Sequence, residues 1–350
     1  MDCATVARGA GAGGVNFMAE VQFNNRRAVQ IENEAIRLTM TVEGGHVAEI
    51  LHKKSGVNPL WIPPWPSIEP STYSREKHPE YGSDAESKLL AGLMGHNLCL
   101  DLWGSPSPEE AAAGMTVHGE GSILPYEISA GGQELTATCL LPAAQLQVAR
   151  HVRLEGERVR FTETVENIAI LDRPVAWTQH VTLGPPFLEK GLTQFRAPGT
   201  KACSLDNREY EWPLKPRNEG GIEDLRMFTK APVSGGFDAV LMDPGRARGY
   251  FYAWSPASQV LLGYVWNRAD FPWLGIWEEN YSRELPPWNR RTLTRGMEFS
   301  ASPFPESRRQ MIDRKALFGE QGYRWIPAKT KVRVEYSAFI TTASSIPEGL

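Results

Sequence analysis

Seven histidines and 41 acidic residues equip this chain best for general acid–base chemistry. An imidazole with an ordinary pKa of about 6.5 exchanges protons near neutrality. A carboxyl group in a partly desolvated site can be tuned to meet it. Spacing alone does not choose the partners, because so many groups allow many pairs. Other chemistries can be set aside. Near the N-terminus, Gly9-Ala10-Gly11-Ala12-Gly13-Gly14 follows no strand and opens no helix, so it is not a dinucleotide loop. There is no phosphate-binding GxxxxGK[ST] and no GxSxG nucleophile elbow. His118-Gly119-Glu120 matches half of a zinc deaminase signature, but the PCxxC half is absent. No HExxH occurs and the histidines lack metal-ligand spacing, so no metal and no cofactor are expected.

The elements that would position an acid–base pair are strands. Ile36, Leu38, Met40 and Val42 alternate with polar residues before a Gly44-Gly45 turn. Val148, Val152 and Leu154 share one face, Glu155–Arg158 turns, and Val159, Phe161 and Val165 share the next, which predicts a hairpin. A second hairpin is predicted around Gly131-Gly132. A third is predicted from Ala239–Met242 through Asp243-Pro244-Gly245-Arg246 to Gly249–Trp254. Helical patterns are short: Ser107–Ala113 and Ser307–Ala316. Three loops rich in Pro and aromatic residues, 61–88, 211–221 and 283–289, are expected at the rim of a site. The expectation is a mainly β chain of antiparallel strands with long loops and few short helices. Residues 21–345 are read as one domain behind a disordered lead of residues 1–20, with Met18 a candidate natural start.

A net charge of −4, with no basic run, argues against nucleic acid or an anionic membrane as partner. No stretch approaches the roughly 20 apolar residues of a membrane span, and the first residues lack the apolar core of a secretory signal. Cys3, Cys99, Cys139 and Cys203 are scattered, as free thiols in a cytoplasmic protein would be. Eleven tryptophans are many for this length. They suit either a core or a concave site.

Phe161–Gly184, FTETVENIAILDRPVAWTQHVTLG, resembles the central motif of the galactose mutarotase-like (aldose 1-epimerase) family, with Asn167 at the family's Asn and Gln179-His180 at its polar-His pair. Glu43–Ile50 followed by Asn58-Pro59-Leu60-Trp61 resembles an early strand of that family, and Met115–Glu120 its HG motif. Ala239–Trp254 resembles its late hairpin, and Gly296–Phe299 followed by Ser302–Ser307 its C-terminal segment with the catalytic Glu. The motifs fall in the family's order across residues 28–340. The run after His180 departs from the family, reading Val-Thr-Leu-Gly-Pro-Pro-Phe, which marks a divergent branch.

The resemblance implies an antiparallel β-supersandwich and a cofactor-free enzyme that interconverts sugar anomers by ring opening. It implies His180 as acid, Glu298 as base and His118 beside them. Sugar contacts are implied from Asp238, Glu278, Gln179, Trp277 and Trp288, with Glu278 also competing for the role of base. A monomer or homodimer taking a small sugar is expected. Three other functions stay open: a hexose-phosphate mutarotase using cations such as Arg75, Lys77, Arg290 and Arg291; a carbohydrate-binding or lyase-like β-sandwich without epimerase activity; and a glycosidase using Glu278 and Glu298. Glu298 could also be a structural carboxylate paired with Arg295 or Arg308, and His180 a satisfied core histidine.

Overall fold

The structure, a computed structural model, describes residues 20–218 and 220–349. The expected disordered lead lies outside the described residues save for residue 20. The described strands form a twelve-stranded sheet, an eight-stranded sheet and two two-stranded ribbons, antiparallel throughout. Trp177, Val181, Leu98 and Phe299 of the first sheet pack against Val148, Phe161, Tyr264 and Ile340 of the second in one apolar core. Burying each large side chain contributes about 1.5–3 kcal/mol.

The hydrophobic alternation seen in sequence becomes paired strands. Leu146–Glu155 pairs Arg158–Asn167 across a turn at Gly156, and Glu127–Gly131 pairs Glu134–Leu141 across Gly132. The third predicted hairpin is not one. Ser234–Met242 pairs Gly199–Ser204 and Trp273–Asn280 in the larger sheet, while Arg248–Ser255 pairs Gln194–Arg196 and Val260–Asn267 in the smaller. The turn at Asp243 forms as expected, with Arg246 N–H donating to the Asp243 carbonyl at 3.1 Å, but it carries the chain from one sheet to the other. An Asp-Pro-Gly turn reverses the chain equally well in either setting. Each strand is already hydrogen-bonded to other partners in its own sheet.

Both predicted helices form, as Pro108–Ala112 and Arg308–Arg314, each started by a capping box on Ser107 or Ser307. A further short helix, Ser87–Leu90, follows the first Pro-rich loop. That loop folds inward: Trp61, Trp65 and Tyr81 join Leu89, Leu90, Leu93, Val117 and Trp288 in a second apolar cluster. Trp61 stacks on Trp288 at 6.1 Å, and Trp65 meets it edge-on at 5.2 Å. Asn167 closes the turn after its strand by donating to the carbonyls of Leu171 and Ile326, both at 2.9 Å. Among the described residues, no helix is long and apolar enough to cross a membrane.

Candidate active site

Four adjacent strands of the larger sheet, His96–Asp101, Arg173–Leu183, Leu293–Ser300 and Trp273–Asn280, line up one residue each in a row: Asn97, His180, Glu298 and Gly275. Side chains alternate faces along a strand, so this row and its i±2 neighbours point away from the other sheet. Opposed residues on paired strands have Cβ atoms about 4.5–5.5 Å apart. Register alone therefore brings His180 to Glu298. Their side chains meet with Nε2 3.2 Å from Oε1.

Each side chain of the pair is fixed by a second contact. Trp103 Nε1–H donates to Glu298 Oε2 at 3.0 Å. Thr182, two residues from His180 on the same face, places its Oγ1 3.0 Å from Nδ1. With Nδ1–H on Thr182, the Nε2 lone pair faces Glu298. Two glycines make the space. A Cβ on Gly296 would fall 2.2 Å from Glu298 Oε1, and one on Gly275 would fall 2.9 Å from the Trp103 ring.

His118 arrives from a loop with a left-handed φ of 62°. Its ring lies 4.8 Å from that of His180. Asn97 Nδ2–H donates to His118 Nδ1 at 3.2 Å, leaving Nε2 as the hydrogen-bearing nitrogen. Trp277 lies 5.9 Å from His180 and 5.9 Å from Trp288. The Arg283 guanidinium covers Trp288 at 4.7 Å and reaches Glu86 at 3.4 Å and Glu279 at 3.8 Å. His180, Glu298, His118, Trp277, Trp288 and Arg283 enclose a cavity of about 170 Å³, walled also by Leu89, Leu90, Leu93, Val117 and Phe237. That is room for a small organic molecule rather than for a few waters.

Burial governs the titration of His180, Glu298 and His118. Loss of water pushes the Glu298 carboxyl well above the usual carboxylate range, opposed in part by the Trp103 N–H. The same loss lowers the His180 imidazole to about 4 and drives His118 well below its ordinary value, with His180 adding to the effect on His118. Burial thus favours the protonated carboxyl on Glu298 and the uncharged imidazole on His180 and His118.

Of the residues expected at the site, His180, Glu298, His118, Trp277 and Trp288 line the cavity. Gln179, Glu278 and Asp238 do not, and one reason covers all three. Each is the strand neighbour of a cavity residue, His180, Trp277 or Phe237, so alternation turns it to the opposite face. Gln179 lies between the sheets, donating to Glu163 at 2.6 Å and accepting from Tyr336 at 2.9 Å, with His96 Nε2 also 2.9 Å away. Glu278 pairs with Arg295 at 3.1 Å, and Asp238 with Lys215 at 2.7 Å. The structural pairings considered for Glu298 are thus taken by others, since Arg308 binds Asp101 at 2.6 Å. Arg75, Lys77, Arg290 and Arg291 are exposed and outside the cavity. Of the Pro-rich loops, 61–88 contributes Glu86 and 283–289 contributes Arg283 and Trp288, whereas Trp212 packs on Gly199.

The shape of the whole chain has close counterparts. A candidate aldose 1-epimerase from Klebsiella pneumoniae superposes with a TM-score of 0.67 at 14% identity, over 91% of this chain and 80% of that one. The galactose mutarotase related enzyme from Lactobacillus acidophilus gives 0.59 at 10%, over 90% and 97%. A galactose mutarotase-like protein from Clostridium acetobutylicum gives 0.58 at 12%, over 93% and 98%. This chain has the galactose mutarotase-like fold. No protein-family model and no curated protein sequence matches it.

Within the galactose mutarotase-like fold, sequence reading missed Asn97, Trp103, Thr182, Phe237 and Arg283. Thr182 alone carried a usable signal, being two residues beyond His180 on a strand. Trp103 and Asn97 meet the catalytic pair only through sheet order, and no local pattern marks them. Among the described residues, no group of three His, Cys, Asp or Glu side chains is placed to hold a metal ion.

Proposed function

We propose that this protein is an aldose 1-epimerase-like isomerase acting on an unphosphorylated monosaccharide. The observation that carries the reading is the 3.2 Å contact of His180 with Glu298 inside a tryptophan-walled cavity. Mutarotation needs one base and one acid at adjacent oxygens. The base removes the proton of the anomeric hydroxyl while the acid protonates the ring oxygen. The C1–O5 bond breaks, a carbonyl forms at C1, rotation presents its other face, and the steps reverse. Burial favours a protonated Glu298 and a neutral His180, so Glu298 starts as acid and His180 as base. That is opposite to the roles the family resemblance implies, but closure exchanges them, and each group serves in both directions. Positioned acid–base catalysis contributes about 10²–10⁴-fold per group.

His118 Nε2–H is available to donate to a sugar oxygen, and Trp277 offers an aromatic face to sugar C–H groups. Arg283 is the one cation lining the cavity among the described residues, and Glu86 and Glu279 already neutralise it. A phosphate would call for converging cations, which favours a neutral sugar. Glu278 faces away, so the carboxylate pair of a glycosidase is also not favoured.

Anomer exchange measured by NMR on glucose, galactose and their 6-phosphates tests this reading. Faster exchange of a free sugar than of its phosphate is expected. Sugar binding without accelerated exchange would point instead to a carbohydrate-binding β-sandwich.

A further inference from the structure

The cavity wall is divided between polar groups and an apolar side. A hexopyranose presents the anomeric and ring oxygens and four further hydroxyls. His180 and Glu298 are engaged at the first two. The other polar side-chain groups on the cavity wall are His118, whose Nδ1 is already bonded, Ser105, the indole N–H groups of Trp277 and Trp288, and the partly exposed Glu86–Arg283 pair. One side of the cavity is instead Leu89, Leu90, Leu93 and Val117, all at most 5% exposed. Val117 adjoins His118, whose ring touches that of His180, so this apolar wall begins beside the catalytic pair. The ring oxygen sits at that pair, and the carbon next to it, C5, bears the exocyclic C6.

We infer that the substrate is a deoxy sugar, a 6-deoxyhexose, whose methyl group occupies the wall formed by Leu89, Leu90 and Val117. This rests on the isomerase reading above. A C6 hydroxyl placed there exchanges its bonds to water for none. A methyl group gains from leaving water.

Matched pairs that differ only at C6 test it: D-fucose with D-galactose, 6-deoxy-D-glucose with D-glucose, and L-rhamnose with L-mannose. Anomer exchange by NMR gives kcat/KM, and quenching of the cavity's indole fluorescence gives Kd without turnover. In at least one pair the deoxy member is expected to lead by about tenfold or more in both measures. Val117→Thr, which adds a hydroxyl at almost unchanged volume, is expected to shrink that lead several-fold. If the hydroxylated members equal or exceed their deoxy partners in every pair, the inference is overturned and the isomerase reading stands. If no sugar exchanges faster with the protein, the isomerase reading fails, and the binding ratio still decides whether the wall selects a methyl group.

Discussion

His180 and Glu298 stand opposite each other on adjacent antiparallel strands, Nε2 3.2 Å from Oε1, and neither reaches solvent appreciably. The pair lies in a desolvated setting, where the neutral carboxylic acid and neutral imidazole are the favoured forms. Activity is therefore expected to span a wide pH range. kcat/KM for anomer exchange is expected to fall on the acid side only as His180 protonates near pH 4, and on the alkaline side as Glu298 ionises, well above the ordinary carboxylate range. An acid limb near pH 6.5, the value of a solvated imidazole, would contradict this.

Glu298→Gln is expected to lose activity by about 10²–10⁴-fold while making the protein more stable at neutral pH. The carboxyl titrates higher in the fold than in the unfolded chain, so its contribution to stability is full in acid and is lost as pH rises towards its folded value. Glutamine removes that loss. Thermal melts should show a higher Tm for the variant at pH 7, by about 2–4 °C per kcal/mol recovered, with the gain shrinking towards pH 5.

Trp103→Phe keeps a ring beside Gly275 but removes the N–H that Glu298 Oε2 accepts. That bond favours the ionised carboxylate, so its loss raises the carboxyl further. The alkaline limb of the pH–rate profile should move up, and the rate at neutral pH should fall about tenfold, the cost of one hydrogen bond to a group that becomes charged. A uniform fall in rate with an unmoved limb would make Trp103 merely a packing residue.

Gly296→Ala tests placement. Its new Cβ would lie 2.2 Å from Glu298 Oε1, so the carboxyl must shift. Displacement of about 1 Å from a reacting centre can cost about 10²-fold. Exchange should drop by that order, while circular dichroism and sugar binding by fluorescence change little.

Much of the scaffold was legible in the sequence, because period-two alternation and Gly turns act locally. The hairpins about Gly132 and Gly156 and the capped helices at Ser107 and Ser307 form as read. The crossing at Asp243 was not legible, since its turn chemistry is the same within a sheet and between sheets. The site shows the same divide. His180, Glu298 and His118 follow from the family motifs and Trp277 and Trp288 from aromatic chemistry, and all five lie together. Gln179, Glu278 and Asp238 each stand next in sequence to a cavity residue, and on a strand that neighbour faces the opposite way. Trp103 reaches Glu298 across 195 residues of sequence, through a sheet order that no local pattern encodes.

Two-dimensional exchange NMR on the best free sugar, comparing wild type with His180→Asn, is the most direct test of His180 and Glu298 as the proton-transferring pair. Wild type should speed α–β exchange well above the buffer rate. The variant should still bind the sugar by fluorescence and exchange it about 10²-fold or more slowly than wild type. Equal exchange by the two proteins, or a wild type no faster than buffer, would contradict the account.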